Sequence, residues 1–117
     1  ALENVLTKDN AGKVKAKLVV EMANGPTTPE ADEVFAKSGV VVIPDILANS
    51  GGVCTSYYEW YQNMKDETWG KEQVLEKLEK QIKQAFADVY AVKQQYKTTF
   101  RSAAYILATK RILEAKK

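Results

Sequence analysis

The chain has 117 residues, 45% of them hydrophobic and 27% charged, which fits one globular domain or a piece of one. A formal charge of +2 is too small to predict nucleic acid or a membrane surface as partner, and no apolar run approaches the ~20 residues of a membrane span. The absence of histidine excludes Ser-His-Asp and Cys-His catalysis and histidine metal sites, so no metal is expected; the single Cys54 forms no internal disulfide and favours a reducing, cytoplasmic setting.

Along the chain, Lys17-Leu-Val-Val-Glu21 reads as a short buried strand, closed by the turn signal Ala23-Asn24-Gly25-Pro26. Thr28-Pro29-Glu30 then opens a helix. Thr28 suits the cap, Pro29 the first helical position, and Glu30 and Asp32 the positive end of the dipole. Ala31, Val34 and Phe35 form its apolar side, and Gly39 is placed to stop it. Val40-Val-Val-Ile43 is a second strand, ended by Pro44. Strand, helix and strand with such short joints predict a right-handed βαβ unit with parallel strands.

From Asp45 onward the texture becomes helical. Asn49-Ser50 precede Gly51-Gly52 and an aromatic stretch, Tyr57-Tyr58-Glu59-Trp60-Tyr61, expected to be helical to about Met64. A polar link, Lys65 to Gly70, leads to a long helix from about Lys71, where Val74, Leu78, Ile82, Ala85, Phe86 and Val89 repeat at the spacing of a buried stripe. Its basic residues, Lys71 to Lys83, alternate with Glu72, Glu76 and Glu79 and read as a solvated face with intrahelical ion pairs. Thr98 or Thr99 can cap a last helix carrying Ala103, Ala104, Leu107 and Ile112. The predicted class is α/β: a partial Rossmann-like βαβ unit with two parallel strands, then three helices, mostly helical overall. Residues 1–45 form the βαβ portion and 46–117 the helical portion.

Two parallel strands need cover on both faces and do not make a stable sheet alone. The architecture therefore predicts the later part of something larger. The N-terminus, without Met and without a basic-then-apolar leader, is expected to be an excised or processed end. A different class of reading is a non-catalytic helical assembly module, because the long helix carries an apolar stripe beside a sheet too small to cover it.

Three stretches are distinctive: Glu21-Met-Ala-Asn-Gly-Pro-Thr-Thr-Pro-Glu-Ala-Asp32; Ile43-Pro-Asp-Ile-Leu-Ala-Asn-Ser-Gly-Gly-Val53 running into Ser56-Tyr-Tyr-Glu-Trp60; and Arg101-Ser-Ala-Ala-Tyr-Ile-Leu-Ala108. Together with the opening Ala1-Leu-Glu-Asn4 they closely resemble the glutamate dehydrogenase branch of the Glu/Leu/Phe/Val dehydrogenases, over essentially the whole chain. The resemblance implies the C-terminal part of a dinucleotide-binding domain. It also implies a parent that converts L-glutamate and NAD or NADP to 2-oxoglutarate and ammonium, as a homo-oligomer, hexameric by family. A leucine, phenylalanine or valine dehydrogenase is the alternative within the family.

The same resemblance assigns the site. Asn24 matches the family asparagine near the nicotinamide ribose and Asn49 the one near the carboxamide. Read from residue chemistry alone, both are equally turn and cap residues. Gly51 and Gly52 lack side chains where a helix start approaches the ligand. Val53 and Ser56, three apart on one helical face, match positions lining the substrate side-chain pocket. The Tyr57–Tyr61 aromatics are expected to pack in the core and between domains.

No catalytic residue is expected in the chain. No pair among Gly12, Gly25, Gly39, Gly51, Gly52 and Gly70 has the spacing of a dinucleotide fingerprint, so the usual pyrophosphate site is missing. The family's catalytic lysine and aspartate belong to a domain not represented here, and Lys13 and Lys17 are not substitutes. The expectation is a chain inactive alone, able to self-associate. Met22 stands where the family usually has glycine, either crowding the nicotinamide or filling a void left by the missing half.

Overall fold

The computed structural model describes residues 2–116; Ala1, the first residue of the opening tetrapeptide, and Lys117 lie outside the described residues. The elements run α1 (Lys8–Ala11), β1 (Leu18–Val20), α2 (Pro29–Ser38), β2 (Val41–Ile43), α3 (Asp45–Ala48), α4 (Ser50–Lys65), α5 (Lys71–Tyr96) and α6 (Phe100–Ala115). The strands pair in parallel, Leu18 with Val41, Val19 with Val42 and Val20 with Ile43. The βαβ unit followed by three main helices is the architecture the sequence predicts.

Local chemistry sets the boundaries. The Thr28 hydroxyl accepts the Ala31 N–H at 3.3 Å, Pro29 occupies the first helical position, and Gly39 ends α2 at φ +74°, a conformation costly for any side chain. Thr99 rather than Thr98 caps α6, its hydroxyl accepting the Ser102 N–H at 3.2 Å. Two one-turn helices were not foreseen. α1 is too short for a periodic signal, and α3 is the single turn that Pro44 starts before the chain turns again into α4. An isolated parallel bridge, Leu6 with Thr27, also ties the N-terminal segment to the turn after β1.

The core divides about β2. On one side Ala11, Ala31 and Phe35 are buried, with Leu6, Val14, Val34, Val40 and Val42 packed around them. On the other, Leu47, Val89, Val92, Phe100, Ala103 and Ala104 are buried, with Ile43, Ala85, Ile106 and Leu107 against them. Adjacent residues of one strand point to opposite faces, so Val42 and Ile43 serve the two clusters separately. On the face that carries Ile43, Leu18, Val20 and Val41 remain about half exposed. The radius of gyration, 16.6 Å, exceeds the about 13 Å of a compact domain of this length, as an uncovered sheet and a long helix require.

The predicted stripe of α5 needs one correction. Phe86 is 41% exposed, on the edge of the stripe, in ring contact with Tyr90 and Phe100. On α6, Ile112 is 58% exposed, because only the first half of that helix faces the core. At 1.5 Å per residue α5 runs about 39 Å and α6 about 24 Å, so α5 outruns its partner. The solvated face of α5 is as expected, with Lys83 on Glu79 at 2.5 Å across one helical turn.

Candidate functional site at the strand ends

The loops leaving β1 and β2 meet at the C-terminal edge of the sheet, where parallel α/β folds place their ligands. Asn24 lies in the first loop and Asn49 at the junction of α3 and α4. Their side chains are joined directly, the Asn49 Nδ2 donating to Asn24 Oδ1 at 2.6 Å. Asn49 occupies the cap position of α4, yet its side chain makes no capping bond. The Asn49 amide links the two loops, while its backbone N–H closes the end of α3 on the Asp45 carbonyl. The bond uses one donor and one acceptor, so the Asn24 amide nitrogen and the Asn49 amide oxygen retain capacity for a further partner.

The turn beneath this pair is fixed from three sides. Gly25 adopts φ +55°, which its lack of a side chain permits. Its N–H donates to Asp45 Oδ2 at 2.8 Å, and its carbonyl accepts the Asn4 N–H at 2.8 Å. Asp45 opens α3, and its backbone N–H donates to Glu21 Oε2, also at 2.8 Å. Glu21, at the end of β1, is buried.

The charge on Glu21 is answered by Arg101, whose Nη2 donates to Glu21 Oε1 at 2.6 Å. Arg101 Nη1 reaches Asp45 Oδ1 at 3.4 Å, and Nε pairs with Asp32 in the first turn of α2. Burial disfavours the guanidinium cation, but the bonds to Asp32 and Glu21 outweigh it and hold the pKa above the ordinary arginine value. For Asp45 burial also works against charge. The N–H groups of Gly25 and Ile46, and then Arg101, outweigh it and hold the carboxyl below the ordinary aspartate value.

The sequence singled out Glu21, Asp32 and Arg101 only as parts of motifs, and missed the cluster they form. One signal for it existed. A cation in the first turn of a helix opposes the dipole, so Arg101 at the start of α6 needs carboxylates from elsewhere.

The other predicted positions lie on α4, directly after the amide pair. Gly51 and Gly52 fall in its first turn, and a Cβ at either meets nothing within 4 Å, which leaves the helix start open. Val53 is 68% exposed, and Ser56 is exposed with its hydroxyl donating to the Gly52 carbonyl at 3.2 Å. Asn24, Val53 and Ser56 are thus exposed, and Asn49 and Gly51 half-buried. Met22 is 68% exposed, so it fills no void within the chain.

The aromatic stretch splits by helical face. Tyr58 is buried, its hydroxyl bonded to Gln81, and both Tyr58 and Tyr61 pack on Trp69; Tyr57 and Trp60 are more than half exposed. An open groove of about 820 Å³ runs from this wall to Arg111, remote from the amide pair in its lining. Among the described residues no group of histidine, cysteine or carboxylate side chains is arranged to hold a metal ion, and no helix is long and apolar enough to cross a membrane.

The family model for Glutamate/Leucine/Phenylalanine/Valine dehydrogenase matches residues 1–117. The NAD-specific glutamate dehydrogenase of Clostridioides difficile is 52% identical over 117 residues, 100% of this chain and 28% of that protein. Among solved structures, glutamate dehydrogenase from Peptoniphilus asaccharolyticus superposes with a TM-score of 0.94 at 50% identity, over 98% of this chain and 29% of that one. The hetero-hexameric glutamate dehydrogenase from Thermus thermophilus, in its Leu-bound form, gives 0.92 at 34% identity, over 97% of this chain and 27% of that one. The chain thus spans under a third of the length of the relatives it matches. Matched from end to end, and with the βαβ unit and helices in the same arrangement, it belongs to the Glutamate/Leucine/Phenylalanine/Valine dehydrogenase family.

Proposed function

We propose that this chain is the C-terminal part of the dinucleotide-binding domain of a glutamate dehydrogenase, residues 1–45 supplying a βαβ portion and 46–117 the helical portion. The parent converts L-glutamate to 2-oxoglutarate and ammonium with NAD or NADP, as an oligomer in the cytoplasm. The observation that carries this reading is the Asn49–Asn24 bond at 2.6 Å on the C-terminal edge of the sheet, inside two motifs of the family. Glutamate and NAD specificity are supported by the names of relatives about half identical to this chain.

In this reading Asn24 and Asn49 meet the nicotinamide side of the cofactor with the donor and acceptor their mutual bond leaves over. Gly51 lets the cofactor approach the start of α4. Val53 and Ser56, exposed just beyond, line the substrate side-chain pocket. The bound cofactor would supply hydride exchange with the substrate carbon. This chain orients the ring, and the proton-transferring groups come from the rest of the enzyme. The half-exposed Leu18, Val20 and Val41 take their cover from there as well.

The purified 117-residue chain, mixed with glutamate and NAD or NADP, is expected to give no turnover, and the full-length protein that carries it is expected to be active. Turnover by the chain alone overturns the division of labour, and a full-length protein inactive on glutamate overturns the substrate. Fractionation that places the full-length protein outside the cytoplasm overturns the location. The assembly-module reading, supported by the same uncovered apolar residues, predicts concentration-dependent light scattering from the chain. A monodisperse monomer removes it.

A further inference from the structure

Arg101 touches neither amide of the proposed cofactor wall, yet it is bonded to Glu21 and Asp45, the two side chains that tie the amide-bearing loops together. Asp45 is the junction. Its side chain accepts the Gly25 N–H at 2.8 Å, one residue from Asn24, and its carbonyl accepts the Asn49 N–H at 3.0 Å. The two loops that carry the amides therefore share one anchor. Asp45 is held in turn by Glu21 at its N–H, 2.8 Å, and by Arg101 at Oδ1, 3.4 Å. Arg101 holds Glu21 at 2.6 Å from the opposite side, closing a ring of Arg101, Glu21 and Asp45. The partners lie 80 and 56 residues away in sequence.

We propose that Arg101 is a positioning residue for nicotinamide binding: through Asp45 and Glu21 it sets the separation and orientation of the Asn24–Asn49 pair. The inference rests on the cofactor reading above. Two physical points favour positioning over bulk stabilisation. Buried ion pairs are an inefficient way to stabilise a fold, because desolvation consumes much of the attraction, and apolar side chains of similar volume do as well. A guanidinium also offers donors in a rigid planar fork, which fixes the angle between Glu21 and Asp45 in a way an ammonium does not. Asp32 supplies the internal control. It pairs with Arg101 from α2, and among the described residues its side chain makes no hydrogen bond to residues 21–28 or 44–49.

The test uses the full-length enzyme that carries this segment, with R101Q, R101K and D32N variants. Thermal unfolding establishes that each is folded, and steady-state kinetics separate the KM for nicotinamide cofactor from that for glutamate. R101Q and R101K are expected to raise the cofactor KM about tenfold, as lost positioning does, with the glutamate KM within about twofold of wild type. D32N lowers the unfolding temperature and leaves the cofactor KM unchanged. R101K carries the decision where R101Q fails to fold, since it keeps the charge and loses only the fork. An R101K enzyme with wild-type cofactor KM overturns the proposal, as does a D32N enzyme impaired as much as R101K, which marks general loosening. A wild-type enzyme that neither binds nor uses a nicotinamide cofactor removes the underlying reading first, and is recognised before any variant is compared.

Discussion

In the α5–α6 hairpin, Val89 and Val92 lie buried against Phe100, Ala103 and Ala104, contacts that need only shape and the exclusion of water. At the strand ends, where Pro44 and Leu47 are also buried, a comparable stretch of chain is held by Glu21, Asp45 and Arg101 and by one amide-to-amide bond. The first region tolerates any change that conserves volume. The second depends on the direction of each donor, and removing one partner strands the others. A scaffold and a wall for a ligand are thus built by different physics within one chain.

The largest expected effect tests the apolar half. Phe100 is 6% exposed and in ring contact with Phe86 and Tyr90, so Phe100→Ala is expected to cost about 3–5 kcal/mol in urea unfolding. A loss under about 1 kcal/mol means that the hairpin collapses around the gap, and that close packing does not distinguish the two regions.

Next in size is Arg101→Met, which leaves the fully buried Glu21 side chain without its cation and is expected to cost about 3 kcal/mol. A neutral result places the strand ends among sites where ion pairs are replaceable, and erases the contrast with the hairpin.

Acid sharpens the same comparison. The Asp45 carboxyl is held below its ordinary value, so the folded chain binds that proton less readily than the unfolded chain does. Its contribution is present above the unfolded aspartate pKa of about 3.9 and is lost as the pH falls through the lower folded value. Asp45→Asn is therefore expected to flatten the acid limb of stability against pH, while Phe100→Ala shifts the whole curve down. Parallel acid limbs for wild type and Asp45→Asn remove Asp45 from the linkage.

The two regions also differ in how far the sequence reveals them. The stripe of α5, the Thr28 cap, the Gly39 stop and the parallel strand pair are local: each signal lies within a few residues of the structure it produces, and each was legible. Phe86 was misplaced because periodicity identifies a face without saying how far toward its edge the opposing helix covers it. The ring at the strand ends joins residues 56 and 80 apart, and nothing near Arg101 names its partners. The motifs marked Asn24 and Asn49 as a pair of loops, but no spacing rule states that the two amides bond each other.

The smallest expected effect on the fold separates the amide pair from its support. The Asn24–Asn49 bond is exposed, and water can replace either partner, so Asn24→Ala is expected to lower stability by no more than about 1 kcal/mol. The proposed role predicts a different scale for ligand binding. There the lost amide leaves a cofactor group unpaired in a desolvated site, and nicotinamide cofactor affinity of the full-length enzyme falls by about tenfold or more. Calorimetric titration beside urea unfolding reads both quantities on one variant. Equal small losses in both make Asn24 a turn residue only. A large loss of stability with unchanged affinity reverses the division, making the amide pair part of the scaffold.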